Sequence, residues 1–600
     1  MADEPDNVSR RDKIEAVIAV ARFRPRFTVG VFAFGITAAL FEGIGLSFIL
    51  PIVELVQTQD SASEADGLLA IFVTLYRTAG VPFTLGTVIL GVSGVMVARY
   101  TSNFVVAWLR EALRTYYIRD LQDRAFRNAL NARVDYYDEE GSDDILNAIV
   151  TQTYYAGRVI KRGIQFLEQT FMASVYLFIA FVVAPWLTLF AVFVLGGFTL
   201  VFRQVLETGY DVGEQVADAN KERQEAAQAG TQGIRDVRVF GVADELYQDF
   251  QDAIDKYTQA RILLRRNEAA IDKFYNLIVA VSVFVLIYFA LEFADLTLGA
   301  LGLFLYAMFR LGPKASRVNT LFYQVENDLP HLVRTQEFIH VLEQNKEDNS
   351  GSKEAPEEIN GVEFEDVWFS YNDSETVLQG MNFQVEKGQF VGFVGQSGAG
   401  KSTLVSLLAR MYEIDRGTIK ANGVSIDEID IDDWRECLSV VRQNPFIFND
   451  TLRYNLTIGN RDVSESELDQ VCSIARVDEF LEDLPDGYDT MLGDEGVRLS
   501  GGQKQRVALA RALIKDADLL IMDEATSDLD SDLEKQVQRA IEEMDRNYAI
   551  ITIAHRLSTV KNADRIYTVE DGRITERGTH NELVETDGKY AELYGIQSGR

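Results

Sequence analysis

The sequence predicts two fused folds: an all-α six-helix transmembrane domain, followed by an α/β domain of phosphate-loop type. Three observations predict them. Long apolar runs fill the chain before about residue 311, and the loops between them alternate in charge. After about residue 343 the chain turns polar and charged, with Gly and Asp punctuating short strands and helices. Within that half, a glycine-rich loop ending in Lys-Ser lies between a strand and a helix. At 600 residues the chain exceeds one domain of ~100–200 residues. The expected organisation is a transmembrane domain over 1–340, made of an N-terminal cytoplasmic helix and six spans with long cytoplasmic loops. A linker over 341–358 and a soluble domain over 359–600 complete it.

A bilayer core of ~30 Å requires about 20 mostly apolar residues per helix. Six stretches qualify: 27–55, 81–109, 164–184, 186–206, 274–291 and 296–311. The last two are short and are expected to extend into flanking polar residues. Short cytoplasmic loops are enriched in Lys and Arg, and this orients the bundle. Arg10, Arg11, Lys13, Arg22, Arg24 and Arg26 precede the first span, so the N-terminus is inside. The following loop holds Asp60, Glu64 and Asp66 without a basic residue and faces out. Arg110, Arg114, Arg119, Arg124, Arg127 and Arg133 mark the next segment as cytoplasmic, as do Lys221, Arg223, Arg235, Arg238, Arg261, Arg265 and Arg266 the one after span four. The N-terminal 26 residues are polar and Arg-rich, without the short apolar core of a signal peptide. The two inner segments read as helical continuations of the spans, whose turns near 135–144 and 233–241 are expected to dock against the soluble domain. Glu42 and Glu168 stand out inside the spans. A carboxylate at membrane depth is either a functional group in a wet cavity or polar glue against another helix, and the sequence names no partner for either.

In the soluble half, Gly395, Gln396, Ser397, Gly398, Ala399, Gly400, Lys401 and Ser402 match GxxxxGK[ST] without departure. The apolar run 389–394 reads as a buried strand and 403–410, beginning at Thr403, as the following helix. The glycines then form a turn whose amides wrap phosphate oxygens. Lys401 neutralises β/γ-phosphate charge in this pattern, and the Ser402 hydroxyl ligates Mg²⁺. Farther on, Leu519-Leu-Ile-Met-Asp523-Glu524 is an apolar strand ending in two carboxylates, at the strand end where an α/β sheet binds its ligand. Asp523 is placed to hold the Mg²⁺ shell, and Glu524 to polarise the attacking water as general base.

Leu499, Ser500, Gly501, Gly502 and Gln503, followed by Lys-Gln-Arg506, form the signature sequence of the ATP-binding-cassette (ABC) family almost letter for letter. The chain therefore resembles that family, and the resemblance runs through the soluble half in order. Tyr371 in Phe369-Ser-Tyr matches the adenine-stacking aromatic, Gln443 the Q-loop, and residues 494–496 the acidic stretch before the signature. Ser527, Asp528, Leu529 and Asp530 match the D-loop, with Asp528 where a small residue is usual, and His555 matches the switch histidine. Taken alone, Tyr371 reads as a packing aromatic and His555 as a core histidine; the ordered set excludes coincidence.

The resemblance implies an α/β P-loop NTPase (ABC ATPase) domain over 359–600, binding ATP and Mg²⁺, with Gln443 joining Glu524 and His555 in catalysis and Ser402 and Asp523 at the metal. It also implies that two motor domains close head to tail around two ATP, Ser500 and Gly502 of one copy completing the site of the other. One motor and six spans per chain then imply a dimer, most simply a homodimer. Spans first and motor second resembles the exporter branch, with the N-terminus and motor on the cytoplasmic side of the cell membrane. Half of a heterodimer, or an ATP-gated channel or sensor, is the alternative. A soluble ABC ATPase is excluded by the spans, and a peptide-processing exporter is disfavoured because the N-terminal stretch holds neither Cys nor His for a protease.

Composition bounds the partners. A formal charge of −33 makes nucleic acid a poor partner and suggests adaptation to molar salt, where the Debye length shrinks to ~3 Å; an acidic but otherwise ordinary protein is the alternative reading. The two cysteines, Cys437 and Cys472, allow no disulfide framework and no CxxC metal site. A cavity lined by Phe, Val, Leu and Gly suits a small amphipathic or lipid-linked substrate better than a small ion, with membrane lipids as partners, and the arrangement loosely resembles flippases for lipids and lipid-linked glycans.

Overall fold

The computed structural model describes residues 18, 22–57, 68–293, 298–349, 351–371, 375–493, 496–525, 531–542, 548–586 and 588–598. The chain divides into two compact units: Met1–Ala132 with Glu140–Lys346, and Glu347–Arg600 with the inserted segment Arg133–Glu139.

The first unit is helical. Among the described residues, five helices are long and apolar enough to cross a membrane: Pro25–Val53, Leu85–Leu130, Ser142–Val183, Pro185–Gln232 and Ala243–Phe289. The sixth expected span lies at the start of helix Leu298–Gln344, whose apolar stretch stops at Arg310 and so stays short of that standard. Pro25 and Pro185 open their helices at the position where a missing N–H costs nothing. Thr84 and Thr87 cap Leu85–Leu130 reciprocally, each hydroxyl accepting the other's backbone N–H. At 46 residues this helix runs about 69 Å, twice a bilayer core, and so carries the span well into polar surroundings, as expected. Helix Gly209–Gln232 packs backbone to backbone on Leu298–Gln344, since a Cβ on Gly213 would stand 2.4 Å from the Asn327 carbonyl.

The two carboxylates singled out inside the spans both have cationic partners. Glu42, 6 % exposed, pairs with Arg99 and accepts the Tyr176 hydroxyl. Glu168 accepts both of its bonds from Arg110 Nη1, at 2.7 and 2.8 Å.

Beyond the spans, Leu298–Gln344 buries Asp328 against Arg162 (2.7 Å) and His331 against Gln152 (2.8 Å) and the Tyr155 ring. Burial pulls the His331 imidazole down to about 3 and lifts the Asp328 carboxyl, in spite of Arg162, to about 6. Between roughly pH 3 and 6.5 the unfolded chain therefore holds a proton on His331 that the folded chain lacks, so this histidine's contribution falls as pH drops. Asp328 works in the opposite sense between about pH 4 and 6, where only the folded chain is protonated. Asp328→Asn is expected to unmask the histidine: unfolding free energy should fall with acidification more steeply than in wild type, by about 1.4 kcal/mol per pH unit in that window. Thermal unfolding of both proteins at pH 6.5, 5.5 and 4.5 checks this, because the gap between the two changes with pH through the titration of Asp328.

The second unit holds two sheets. Strands β1 (Gly361–Ser370), β2 (Thr376–Glu386), β4 (Arg416–Ala421) and β5 (Val424–Ser425) form an antiparallel sheet in the order β2-β1-β4-β5. The larger sheet runs β10-β9-β3-β8-β7-β6, built from β3 (Phe390–Gly395), β6 (Leu438–Val441), β7 (Leu519–Asp523), β8 (Ala549–Ile553), β9 (Arg565–Glu570) and β10 (Arg573–Gly578). All but β10 are parallel. The central strands are apolar almost without interruption, as burial on both faces demands.

Candidate functional site

Because five strands run parallel, their carboxyl ends share one edge. β3 delivers the glycine-rich loop there, β7 delivers Asp523 and Glu524, β8 leads to His555, and β6 ends two residues before Gln443. Open α/β sheets bind ligands at this edge.

The loop's shape requires glycine twice. Gly400 has φ 91°, and its Cβ would meet Leu378 Cδ2 at 2.6 Å; a Cβ on Gly395 would stand 2.1 Å from the Val569 carbonyl. The turn feeds helix Lys401–Leu408, whose free N-terminal amides form an anion site. Gln396, Ser397 and Gly398 are exposed along the loop, while Ala399 is buried behind it. Lys401 is 5 % exposed and donates to the carbonyls of Gly395 (3.0 Å) and Gln396 (2.7 Å). Burial pulls its ammonium down, against the opposing pull of Glu524 and Asp523. Thr403 Oγ1 lies 3.1 Å from the Tyr371 hydroxyl, and the Tyr371 ring meets Phe369 and Tyr412 edge-on.

Ser402 Oγ donates to Asp523 Oδ1 at 3.0 Å. Burial pushes the Asp523 carboxyl up, with Ser402 as the main counterweight. A hydroxyl and a partly buried carboxylate side by side are hard oxygen donors of the kind a Mg²⁺ ion takes. Glu524 is the hub of the edge: Gln443 Nε2 donates to its Oε2 at 2.6 Å, and His555 Nε2 lies 3.0 Å from its Oε1. Its backbone has φ 51°, a left-handed conformation uncommon for glutamate, held by its N–H on the Ile553 carbonyl.

The signature residues form a separate, well-capped feature. Ser500 Oγ accepts the Gln503 N–H and Gln503 Oε1 the Ser500 N–H, starting helix Gly501–Ile514, with Leu499 buried behind and Gly501 and Gly502 at the first turn. Among the described residues, no hydrogen bond or ion pair joins this cap to the glycine-rich loop of the same chain. Asp530 and the rest of the D-loop match, with residues 494–495, lie outside the described residues. The sequence reading missed Tyr412, whose hydroxyl donates to Asp138 in the inserted segment, and Glu534 and Gln597, which hold the loop of His555. A lone Tyr, Glu or Gln carries no spacing signal that could have found them.

Comparison with known proteins identifies the family. The family model described as ABC transporter transmembrane region matches residues 31–310, and that described as ABC transporter matches 378–527. The chain is 32 % identical over 522 residues to the ATP-dependent lipid A-core flippase of Legionella pneumophila (strain Paris), covering 85 % of this chain and 86 % of that one. It is 30 % identical over 508 residues to the flippase of the same description from Alkalilimnicola ehrlichii, covering 84 % and 85 %. Its fold is similar to a solved bacterial Atm1-family ABC exporter with ATP bound, with TM-score 0.75 and 23 % identity over 96 % of this chain and 99 % of that one. Spans, phosphate loop, signature and family matches converge: the chain belongs to the ABC transporter family, a multi-pass membrane protein that binds ATP and couples its hydrolysis to transport.

Proposed function

We infer that the protein is a homodimeric exporter that moves an amphipathic, lipid-like substrate across the cytoplasmic membrane, built as a transmembrane domain over 1–340, a linker over 341–358 and a nucleotide-binding domain over 359–600. The observation that carries the hydrolytic half is Glu524, bracketed by Gln443 and His555 at the carboxyl edge beside the phosphate loop. The glycine-rich loop and Lys401 would bind the phosphates and Tyr371 the adenine. Ser402, Asp523 and the Gln443 carbonyl oxygen would hold Mg²⁺, which supplies charge neutralisation on the phosphates. Glu524 orients and deprotonates the attacking water, and His555 steadies that carboxylate. Ser500 and Gly502, presented on an N-terminal helix cap, would complete the site of a second copy, as would Asp530. Supporting the substrate class, the first unit holds a cavity of about 970 Å³ whose lining is almost wholly apolar, including Ile36, Phe48, Phe72, Phe171 and Phe178, and the flippases similar to this chain are described as acting on lipid A-core.

The test is ATP hydrolysis by the purified chain in vesicles at molar KCl, with oligomeric mass recorded and lipid fractions added. A dimer whose turnover rises with a lipid fraction is expected. A monomer without activity would point to an unlike second chain, and a dimer indifferent to every lipid fraction would remove the lipid reading.

A further inference from the structure

His555 is half exposed, so packing does not hold its ring where it meets Glu524. Its place is set by its loop, which two side chains from elsewhere in the chain brace through hydrogen bonds. One is Glu534, 4 % exposed, whose carboxylate accepts Arg556 Nη1 at 2.9 Å and Thr559 Oγ1 at 2.7 Å. The other comes from the last helix of the chain, Lys589–Ser598. There the Gln597 side-chain amide donates to the His555 carbonyl at 2.7 Å and accepts the Leu557 N–H at 2.9 Å. One planar amide thus spans the peptide groups on both sides of Arg556. The helix that presents it is tied down at its other end, where the Glu576 carboxylate accepts the N–H groups of Lys589 and Tyr590, both at 2.8 Å. Tyr590 is fully buried, its hydroxyl 2.8 Å from His580 Nδ1.

We propose that Gln597 is a positioning residue for ATP hydrolysis: its amide clamps the backbone of residues 555–557 and so sets the register of His555 against Glu524. The inference rests on the reading of Glu524 and His555 as the hydrolytic pair. Among the described residues Gln597 makes no hydrogen bond to the glycine-rich loop or to the signature cap, and it acts through the histidine alone. Its two hydrogen bonds lie at an exposed side chain, where each adds little to folding stability. Their value is geometric, since a displacement of about 1 Å at a reacting group can cost roughly 10²-fold in rate. With Glu534 still anchoring the far side of the loop, losing the clamp should cost less than that full factor.

The test uses the full-length dimer in vesicles and compares wild type, Gln597→Ala, Gln597→Glu, His555→Ala and the double variant His555→Ala/Gln597→Ala. Gln597→Ala is expected to lower kcat about tenfold while KM for ATP stays within twofold. Gln597→Glu keeps an acceptor for Leu557 but lacks a donor for the His555 carbonyl, and should fall between the two. The double variant should match His555→Ala within twofold, because a residue acting through the histidine has nothing left to position. A kcat within twofold of wild type for Gln597→Ala, or a further full drop in the double variant, overturns the proposal. A rise in KM together with a lower melting temperature does the same, since it marks a merely structural role. Should the alanine variant not fold, the same criteria apply to Gln597→Glu. If His555→Ala itself leaves kcat unchanged, the reading of the hydrolytic pair fails and this inference with it; a loss there without one in Gln597→Ala sinks this inference alone.

Discussion

Glu524→Gln should lower ATP turnover by about 10²- to 10⁴-fold, the range a positioned general base contributes, or roughly 2.7–5.4 kcal/mol in the barrier at 1.36 kcal/mol per decade. The geometry explains why the loss should appear in kcat and not in ATP affinity. The phosphate loop, Lys401 and Ser402 touch neither side-chain oxygen of Glu524; its carboxylate is held by Gln443 and His555. Glutamine is nearly isosteric and can keep one of those contacts, so the edge should stay assembled and the left-handed backbone at this position should persist. The variant should therefore retain ATP without turning it over, and the trapped species should be the closed dimer. Single-turnover hydrolysis, retained nucleotide per chain and mass in the presence of ATP measure the three parts separately. A variant that hydrolyses ATP within tenfold of wild type would remove Glu524 from the role of base. Normal retention in a monomer would instead count against the dimeric site.

How far the sequence alone reached is uneven, and the reasons are physical. The phosphate loop was legible because its shape admits almost no alternatives: Gly400 needs a left-handed φ and Gly395 faces a carbonyl at a distance no Cβ tolerates. Asp523 and Glu524 were legible because an apolar strand that ends in carboxylates declares which end of the sheet is wet. The spans were legible from composition, although the helix carrying Arg310 and Lys314 is not apolar for long enough to meet the standard of the other five. What stayed hidden were the partners. Glu42 finds Arg99 and Tyr176, residues 57 and 134 positions away, and Glu168 finds Arg110, 58 positions away. Glu534 and Gln597 reach the His555 loop from helices on either side of it in sequence. Such pairings are decided by how helices and loops pack, and no local periodicity encodes them. Tyr412 and Asp138 are an extreme case, since the segment Arg133–Glu139 groups with the second unit although its neighbours in sequence belong to the first.

Those hidden partners turn Glu42 from an ambiguous residue into a quantitative expectation. Its carboxylate is 6 % exposed and is shared by the Arg99 guanidinium and the Tyr176 hydroxyl, while Tyr176 itself is 1 % exposed. Removing one member of a buried pair leaves the other charge unpaired, which costs about 3–5 kcal/mol, whereas replacing both by apolar groups of similar size is often neutral. Glu42→Gln should therefore destabilise the first unit by that amount, seen as a fall of several degrees in the melting temperature of the purified chain. The combined Glu42→Leu and Arg99→Leu variant should recover most of it, with the Tyr176 hydroxyl left as the smaller residual loss. The same pair of proteins separates the two meanings of a membrane-depth carboxylate. If Glu42 is polar glue, the double variant regains both melting temperature and substrate-stimulated ATPase. If Glu42 or Arg99 reaches the transported molecule, stability returns and stimulation does not. Because Glu42 spends both oxygens inside the protein, one on a cation and one on a hydroxyl, neither is left to face a substrate, and recovery of both properties is the expected result.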